Sequence, residues 1–370
     1  MSSNPSNPSQ LSLFDAWLDP ARPDHSRTLE VYDALPKFSL AHERETDQNL
    51  REWNNVVVGQ DTVRVTMSAA ILSSSAVPGD PDRSVRGRVI FPGPREELVE
   101  RALRKMAVQR QIESLESLDQ SGNRIVSLEF TLFQLRQELA DAGHHYKIAE
   151  IREALDVLRG CHYSIEGLQD DWLVGKGPYP LLYIEYRRKR GDRDGQRSYY
   201  RASFPPIASR AILSGAWHPI NYGRLMQLRT PLARWIAERM NLSYRQAEKH
   251  SAVKRRGYYL SLSRVLAESG IVPEARLRDN AQRVREALTE LQKTGFLSPL
   301  DPYLEEPSYE KATRRGRPTL KDIRWTLYPS NAFAEEIIMG NTAMMRVRQR
   351  VEERKNRALT EGGNEARNCQ

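Results

Sequence analysis

Apolar residues between Leu277 and Phe296 recur at the spacing of an amphipathic helix. They share one face, which the core of a domain would bury: Leu277, Ala281, Val284, Leu288 and Leu291. Gly295 ends this pattern, and Phe296 and Leu297 continue it as a short apolar strand. The stretch therefore predicts one helix that runs into a strand.

The same arrangement occurs a second time along the chain. The tetrapeptide Arg-Glu-Ala-Leu stands at 285–288 and again at 152–155, where it also lies in a helical pattern that ends at a glycine, Gly160. Upstream, Gly143 corresponds to Gly270, with a longer spacer in the second copy. A repeat with one insertion indicates one small folded unit used twice.

The first unit contains three helical patterns followed by two strand-like runs. In order, these are helices from Pro94, over 127–143 and over 146–159, and strands over 181–186 and 198–204. Ser127 serves as the N-cap of the second helix. Three helices followed by a hairpin are the outline of a winged helix, in which the third helix enters the major groove of DNA.

The second unit repeats this outline. Thr230 and Pro231 open its first helix as N-cap and first helical residue. The second helix covers 259–269, the third is the stretch at 277–296, and the wing returns at 323–327.

We therefore predict an α+β fold of two tandem winged-helix domains. The boundaries are 1–40 for a disordered tail, 41–222 for the first domain, 223–330 for the second, and 331–370 for a charged helix and polar tail. The first domain begins with a charged helix over 41–54 and a β-hairpin of 56–58 with 63–67. The C-terminal helix is expected at 344–354.

Charge and composition narrow the class of partner. The chain has 370 residues, a net charge of +8 and a pI near 9.4, which favours a polyanion such as nucleic acid over a merely solvated basic surface. Two cysteines, Cys161 and Cys369, are too few for a disulfide framework. The chain shows neither a signal peptide nor an apolar run long enough to span a membrane. We expect a cytoplasmic protein with no membrane partner.

No pattern of catalytic or cofactor-binding residues stands out. Gly175-Lys176-Gly177 lacks the spacing of a phosphate-binding loop. His144 and His145 are adjacent, so their side chains point in different directions and do not chelate one ion readily. We expect no enzyme activity, no cofactor and no metal.

In the second unit, the third helix carries the candidate base-reading residues Arg278, Gln282 and Arg285. Arginine pairs with the O6 and N7 of guanine, and glutamine with the N6 and N7 of adenine. The alternative is a solvated face of Arg–Glu pairs. The third helix of the first unit has basic residues too, but Glu150, Glu153 and Asp156 make its outer face acidic and a poor groove reader.

The wings concentrate positive charge. The first wing tip carries Arg187, Arg188, Lys189, Arg190 and Arg193, which suit phosphates without sequence preference. The second wing contains Arg314, followed by Arg315 and Arg317 in the Arg-Gly-Arg-Pro core of an AT-hook, which lies along a narrow A·T minor groove. A flexible basic loop is the alternative. Lys254, Arg255 and Arg256 are further phosphate-binding candidates.

Near the N-terminus, Gln10-Leu11-Ser12-Leu13-Phe14 resembles the motif with which bacterial replication proteins dock on the sliding clamp. Average residue usage gives such a match in roughly one chain in a thousand. The resemblance implies that Gln10 enters a polar pocket and that Leu13 and Phe14 fill an apolar one. Leu11 belongs to the same clamp-binding motif. The alternative is that these side chains pack back on their own domain.

This motif, the tandem winged-helix outline and the repeated Arg-Glu-Ala-Leu helices together resemble the TrfA-type plasmid replication initiators. The resemblance implies binding to double-stranded origin repeats (iterons), opening of an A·T-rich segment, and contacts with the sliding clamp, the replicative helicase and the host initiator. It also implies that homodimers are inactive and monomers active. The alternative functions are a winged-helix transcriptional repressor, which has no use for a clamp motif, and a relaxase or nuclease.

Overall fold

The computed structural model describes residues 25–29, 32–38, 48–58, 61–72, 87–109, 117–118, 124–167, 177–187, 199–209, 217–243, 257–310, 319–340 and 342. Among these residues, no helix has the length and apolar character that crossing a membrane requires.

The N-terminal part is mostly β-structure. It contains β1 (His25–Leu29), a 3₁₀ turn (Tyr32–Ala34), β2 (Leu50–Val58), β3 (Asp61–Ser68), β4 (Ala70–Leu72) and β5 (Arg88–Ile90). The first module, as we name the winged-helix unit that follows, contains α1 (Pro94–Gln109), β6 (Ser117–Leu118), β7 (Arg124–Ile125), β8 (Ser127–Phe130), α2 (Leu132–Asp141), α3 (Ile148–Gly160), β9 (His162–Glu166), β10 (Tyr179–Pro180), β11 (Tyr183–Arg187) and β12 (Tyr199–Ser203).

A connection of β13 (Trp217–Asn221) and α4 (Tyr222–Gln227) leads to the second module. Its elements are α5 (Pro231–Ser243), β14 (Tyr258–Ser261), α6 (Leu262–Glu268), α7 (Leu277–Lys293), β15 (Tyr303–Glu310) and β16 (Thr319–Leu327). A further helix, α8, covers 331–340.

Both modules have the same topology. A helix is followed by a strand, two helices and a two-stranded wing, and the three strands form sheets in the orders β11-β12-β8 and β14-β16-β15. In each sheet the last strand lies between the other two and pairs antiparallel with both. The α+β fold with two tandem winged helices is therefore confirmed.

The second helix of each module begins later than the sequence pattern predicts. Residues 127–130 form a strand, and the N-cap of α2 is Thr131 rather than Ser127. The Thr131 hydroxyl accepts from the amide of Gln134, whose side chain accepts from the amide of Thr131, at 3.2 and 2.9 Å. At the start of α6, the Ser261 hydroxyl accepts from the amide of Arg264 at 3.2 Å, without the reciprocal hydrogen bond.

Two predictions for the N-terminal region are wrong. The helix expected over 41–54 is replaced from Leu50 onward by β2, which pairs with β3 in the sheet β10-β9-β3-β2; residues 41–47 lie outside the described part. The predicted tail over 1–40 is too long, because β1 pairs with β13 and residues 32–38 are buried. Backbone pairing makes residues 25–29, and burial makes residues 32–38, part of the folded protein.

The buried residues form two hydrophobic clusters, one shared by the N-terminal part and the first module and one centred on the second module. The first includes Leu103, Leu139 and Leu155, and the second includes Leu288 and Trp325. Each fully buried side chain of this kind contributes about 1.5–3 kcal/mol. The connecting helix α4 supplies side chains to both clusters, so the two cores meet at this helix.

Candidate nucleic-acid interface

Helix α7 is held with one face in the core and the other toward solvent. The Asn280 side chain fixes its start, because it accepts from the amide of Glu274 and donates to the carbonyls of Glu274 and Arg276 at 2.8, 2.9 and 3.1 Å. At the other end Gly295 adopts a φ of 78°, a left-handed conformation that glycine accepts without strain. The exposed residues of this helix are Arg278, Asp279, Gln282, Glu286, Thr289 and Lys293.

Arg278 and Gln282 lie on the exposed face, as predicted. Arg278 makes no hydrogen bond or ion pair with another described residue, so its five donors are available to a ligand. The Gln282 amide donates to the Glu286 carboxylate at 3.1 Å on the exposed surface. Water or a base can replace such a contact at little cost. Base reading by both residues stays a prediction.

Arg285 faces the wing instead of open solvent. Its Nε and Nη2 atoms donate to the Glu305 carboxylate on β15 at 2.9 and 2.7 Å, and the indole of Trp325 on β16 donates to the same carboxylate at 2.9 Å. The hydrogen bond from Arg285 holds the pKa of Glu305 below its ordinary value. Arg285 therefore links α7 to both wing strands, and a base contact would require it to leave Glu305.

The second wing is the hairpin of β15 and β16. The described part of β15 ends at Glu310, and that of β16 begins at Thr319. Arg314, Arg315 and Arg317 belong to the tip between them and lie outside the described residues. The outer strand β15 is acidic near its base, with Glu305 and Glu306 paired opposite Trp325 and Arg324 in the ladder.

The first wing is described only at its base. Arg187 is exposed at the end of β11, opposite Tyr199 of β12, and pairs with the exposed Glu185 at 3.1 Å. The remaining candidates lie outside the described residues: Arg188, Lys189, Arg190, Arg193, Lys254, Arg255, Arg256, Gln10, Leu11, Leu13 and Phe14. Their predicted contacts with phosphate or the clamp stay predictions.

Helix α3 is less acidic on its outer face than its sequence indicates. Glu150 accepts from the amide of Lys147 at 2.7 Å and caps the helix. Glu153 accepts from Arg95 at 2.9 Å and lies 3.5 Å from Arg88. A hydrogen bond from a backbone amide does not offset the charge of Glu150, so the objection to α3 as a groove reader loses one of its three acidic residues, Glu153. Sequence reasoning missed this because Arg88 and Arg95 lie in distant segments.

The chemically versatile side chains have structural surroundings. His144 contacts the carbonyl of Met226 at 2.9 Å, and burial lowers the pKa of this histidine. Burial raises the pKa of the Cys161 thiol to about 12, so it is protonated at neutral pH. Within the described part of the chain, no three His, Cys, Asp or Glu side chains come together as a metal site.

The fold and the exposed polar face of α7 define a tandem winged-helix protein. A scan against protein-family models found no match, and a search of curated proteins found no significant one.

Among solved structures, two crystal structures of domains 2 and 3 of RctB are similar to this chain. The selenomethionine derivative has a TM-score of 0.44 and 11% sequence identity, with 82% of this chain and 98% of that one covered. The other has a TM-score of 0.42 and 10% identity, with 84% and 99% covered. At these values the functional inference rests on the residues of this chain alone.

Proposed function

We propose that this protein is a replication initiator that binds double-stranded DNA through its winged helices and is not an enzyme. The observation that carries the proposal is the exposed face of α7, where Arg278 lies beside Gln282 and makes no hydrogen bond or ion pair with another residue that the structure describes. A winged helix presents its third helix to the major groove, and these two side chain types read guanine and adenine there.

The wing supports the same orientation. Because Arg285 and Trp325 both donate to Glu305, the strands that lead to the Arg-Gly-Arg-Pro segment are tied to α7. A helix in the major groove would then direct this segment toward the adjacent minor groove. Phosphate contacts from both basic wing tips would add affinity without sequence preference and make binding salt-dependent.

The initiator role itself rests on the sequence motif at residues 10–14 and on the resemblance to TrfA-type initiators. We propose that the chain binds repeated sites in an origin, promotes opening of an A·T-rich segment, and recruits the sliding clamp and the host replication machinery, including the helicase. The active species would be a monomer, with the homodimer inactive.

Footprinting on the DNA that flanks the protein's own gene tests this function. An initiator should protect several evenly spaced direct repeats and make an adjacent A·T-rich segment reactive toward a single-strand-specific probe such as permanganate. Protection of one operator over the promoter without strand opening would assign the chain to the transcriptional repressors. Metal-dependent nicking of origin DNA would indicate a relaxase or nuclease.

A further inference from the structure

The first helices of the two modules, α1 and α5, carry opposite charges at matching positions. Both helices begin with a proline. Counted from that proline, the fourth residue is Glu97 in α1 and Arg234 in α5, and the eighth is Arg101 in α1 and Glu238 in α5. These four residues are called the charge quartet below.

The charge quartet pairs matching positions across the two modules. Arg234 Nη2 donates to Glu97 Oε2 at 2.8 Å, and Arg101 Nη2 donates to Glu238 Oε2 at 2.9 Å. Arg101 also donates to Glu97 within α1 at 2.7 Å. All four side chains are at most 7% exposed. Each module thus satisfies a buried charge of the other.

Because the charge quartet is buried, its free energy depends strongly on whether each side chain faces an opposite or a like charge. Although burial raises the pKa of Glu97, Arg234 and Arg101 outweigh this effect and hold its pKa at about 2, whereas for Glu238 burial outweighs Arg101 and raises the pKa above its ordinary value. A buried ion pair adds little net stability compared with apolar packing, but a buried charge without its partner, or facing a like charge, is strongly unfavourable. Such pairs therefore select between partners more than they strengthen one.

Residues 32–38, which precede the first module, lie beside the contact between α1 and α5, called the seam below. Asp33 accepts from Arg104 of α1 at 2.7 Å and from Lys37 at 3.0 Å, while Arg239 of α5 donates to the carbonyl of Ala34 at 3.3 Å. Residues 32–38 therefore contact both modules beside the charge quartet, and these contacts involve charged groups as well.

We infer that the charge quartet makes helix packing selective, a property called the pairing code below. The α1 surface packs favourably against α5, whereas packing against a second α1 would bury like charges together. If two α1 helices met in the same register, Glu97 would face Glu97 and Arg101 would face Arg101, and two α5 helices would bury like charges in the same way. The partner that fits the α1 surface is therefore the second module, from the same chain or from a second copy. This inference holds whatever DNA the protein binds.

Charge reversal in the full-length chain tests the pairing code. One variant carries Glu97→Arg with Arg101→Glu, and the other carries Arg234→Glu with Glu238→Arg. Each keeps the net charge, and the first also keeps the ion pair within α1, while both cross-module contacts become repulsive. We expect either variant alone to lose the wild-type seam, seen as faster amide exchange in α1 and α5.

Mixing the two variants provides the decisive measurement. The reversed α1 of one chain complements the reversed α5 of the other, and the two unchanged helices complement each other as well. Refolded together, the variants should form a heterodimer with twice the mass of one chain in analytical ultracentrifugation. A chain with all four changes should be monomeric, with wild-type protection restored in α1 and α5.

A charge reversal inside one module serves as the control. Lys105 of α1 pairs with Glu138 of α2 at 3.5 Å within the first module, so Lys105→Glu should destabilise that module without producing heterodimers. The pairing code is refuted if the mixture contains no heterodimer, if each reversed variant keeps wild-type protection, or if the chain with all four changes recovers nothing.

Discussion

At the scale of single residues, Arg278 and Arg285 were predicted to have the same role but lie in different surroundings. Arg278 is exposed and has no partner among the described residues, so its replacement removes nothing that stabilises the fold. Arg278→Ala should therefore weaken binding to the cognate repeat by about 1–3 kcal/mol and relax specificity, while the unfolding midpoint stays unchanged. Fluorescence anisotropy on cognate and scrambled duplexes measures both quantities.

A control at the other end of the same face is Lys293→Ala, which removes one exposed positive charge without a predicted base contact. It should weaken both duplexes alike and only slightly. Equal losses on cognate and scrambled DNA for Arg278→Ala would contradict groove reading.

Arg285 should matter for stability as well as for DNA binding. Its side chain is 35% exposed and that of Glu305 is 24% exposed, so screening limits the coupling between them to about 1 kcal/mol. A double-mutant cycle of Arg285→Ala and Glu305→Ala in urea denaturation measures this coupling. Additive effects would show that the pair contributes nothing.

The same pair predicts a dependence on pH. The pKa of Glu305 is lowered in the folded state, first by the hydrogen bond from Arg285, so its contribution is present above the ordinary pKa of a glutamate. It is lost as the pH falls through the folded-state pKa. The stability difference between wild type and Arg285→Ala should therefore shrink in acid. Helical periodicity places Arg285 outside the core, but the partner on a wing strand twenty positions away cannot be derived from it.

At the scale of elements, the start of α2 shows where the hydrophobic pattern misleads. Leu128, Leu132, Leu135 and Leu139 stand at helical spacing, yet Leu128 belongs to β8, whose buried residues pair with β12 of the sheet. A strand that runs directly into a helix keeps apolar residues on the core side throughout, so periodicity alone does not reveal the junction. The repeat allowed the order of the elements to be predicted. The start of α2, in contrast, depends on the pairing of β8 with β12, which the repeat does not reveal.

The capping box at Thr131 makes the boundary testable. Thr131→Ala removes the hydroxyl that accepts from the amide of Gln134 and should lower the free energy of unfolding by about 1 kcal/mol. Thr131→Ser keeps the acceptor and should stay close to wild type. Urea denaturation followed by circular dichroism compares the two variants; an equal loss in both would attribute the effect to packing of the threonine methyl.

At the scale of the whole molecule, the motif predicted to bind the clamp and the modules proposed to bind DNA are separate parts of one chain. Residues 10–14 precede β1, which is fixed to the modules by its pairing with β13. His25, the first residue of β1, lies eleven positions after Phe14. At most about 3.6 Å for each position, the distance between these two residues cannot exceed about 40 Å. A clamp bound to the motif would therefore be kept close to DNA bound by the modules.

This separation predicts that clamp binding and DNA binding can be lost independently. Replacing Leu13 and Phe14 with Ala removes the two side chains that the resemblance places in the apolar pocket, so clamp retention in a pull-down should be abolished. Affinity for an origin repeat should be unchanged, because neither Leu13 nor Phe14 is among the residues predicted to contact DNA. Arg278→Ala is the reciprocal control: it should retain the clamp and bind the repeat more weakly. Unchanged clamp retention in the Leu13 and Phe14 variant would show that the motif does not bind the clamp, and a joint loss of both activities would place these side chains in the fold of the modules.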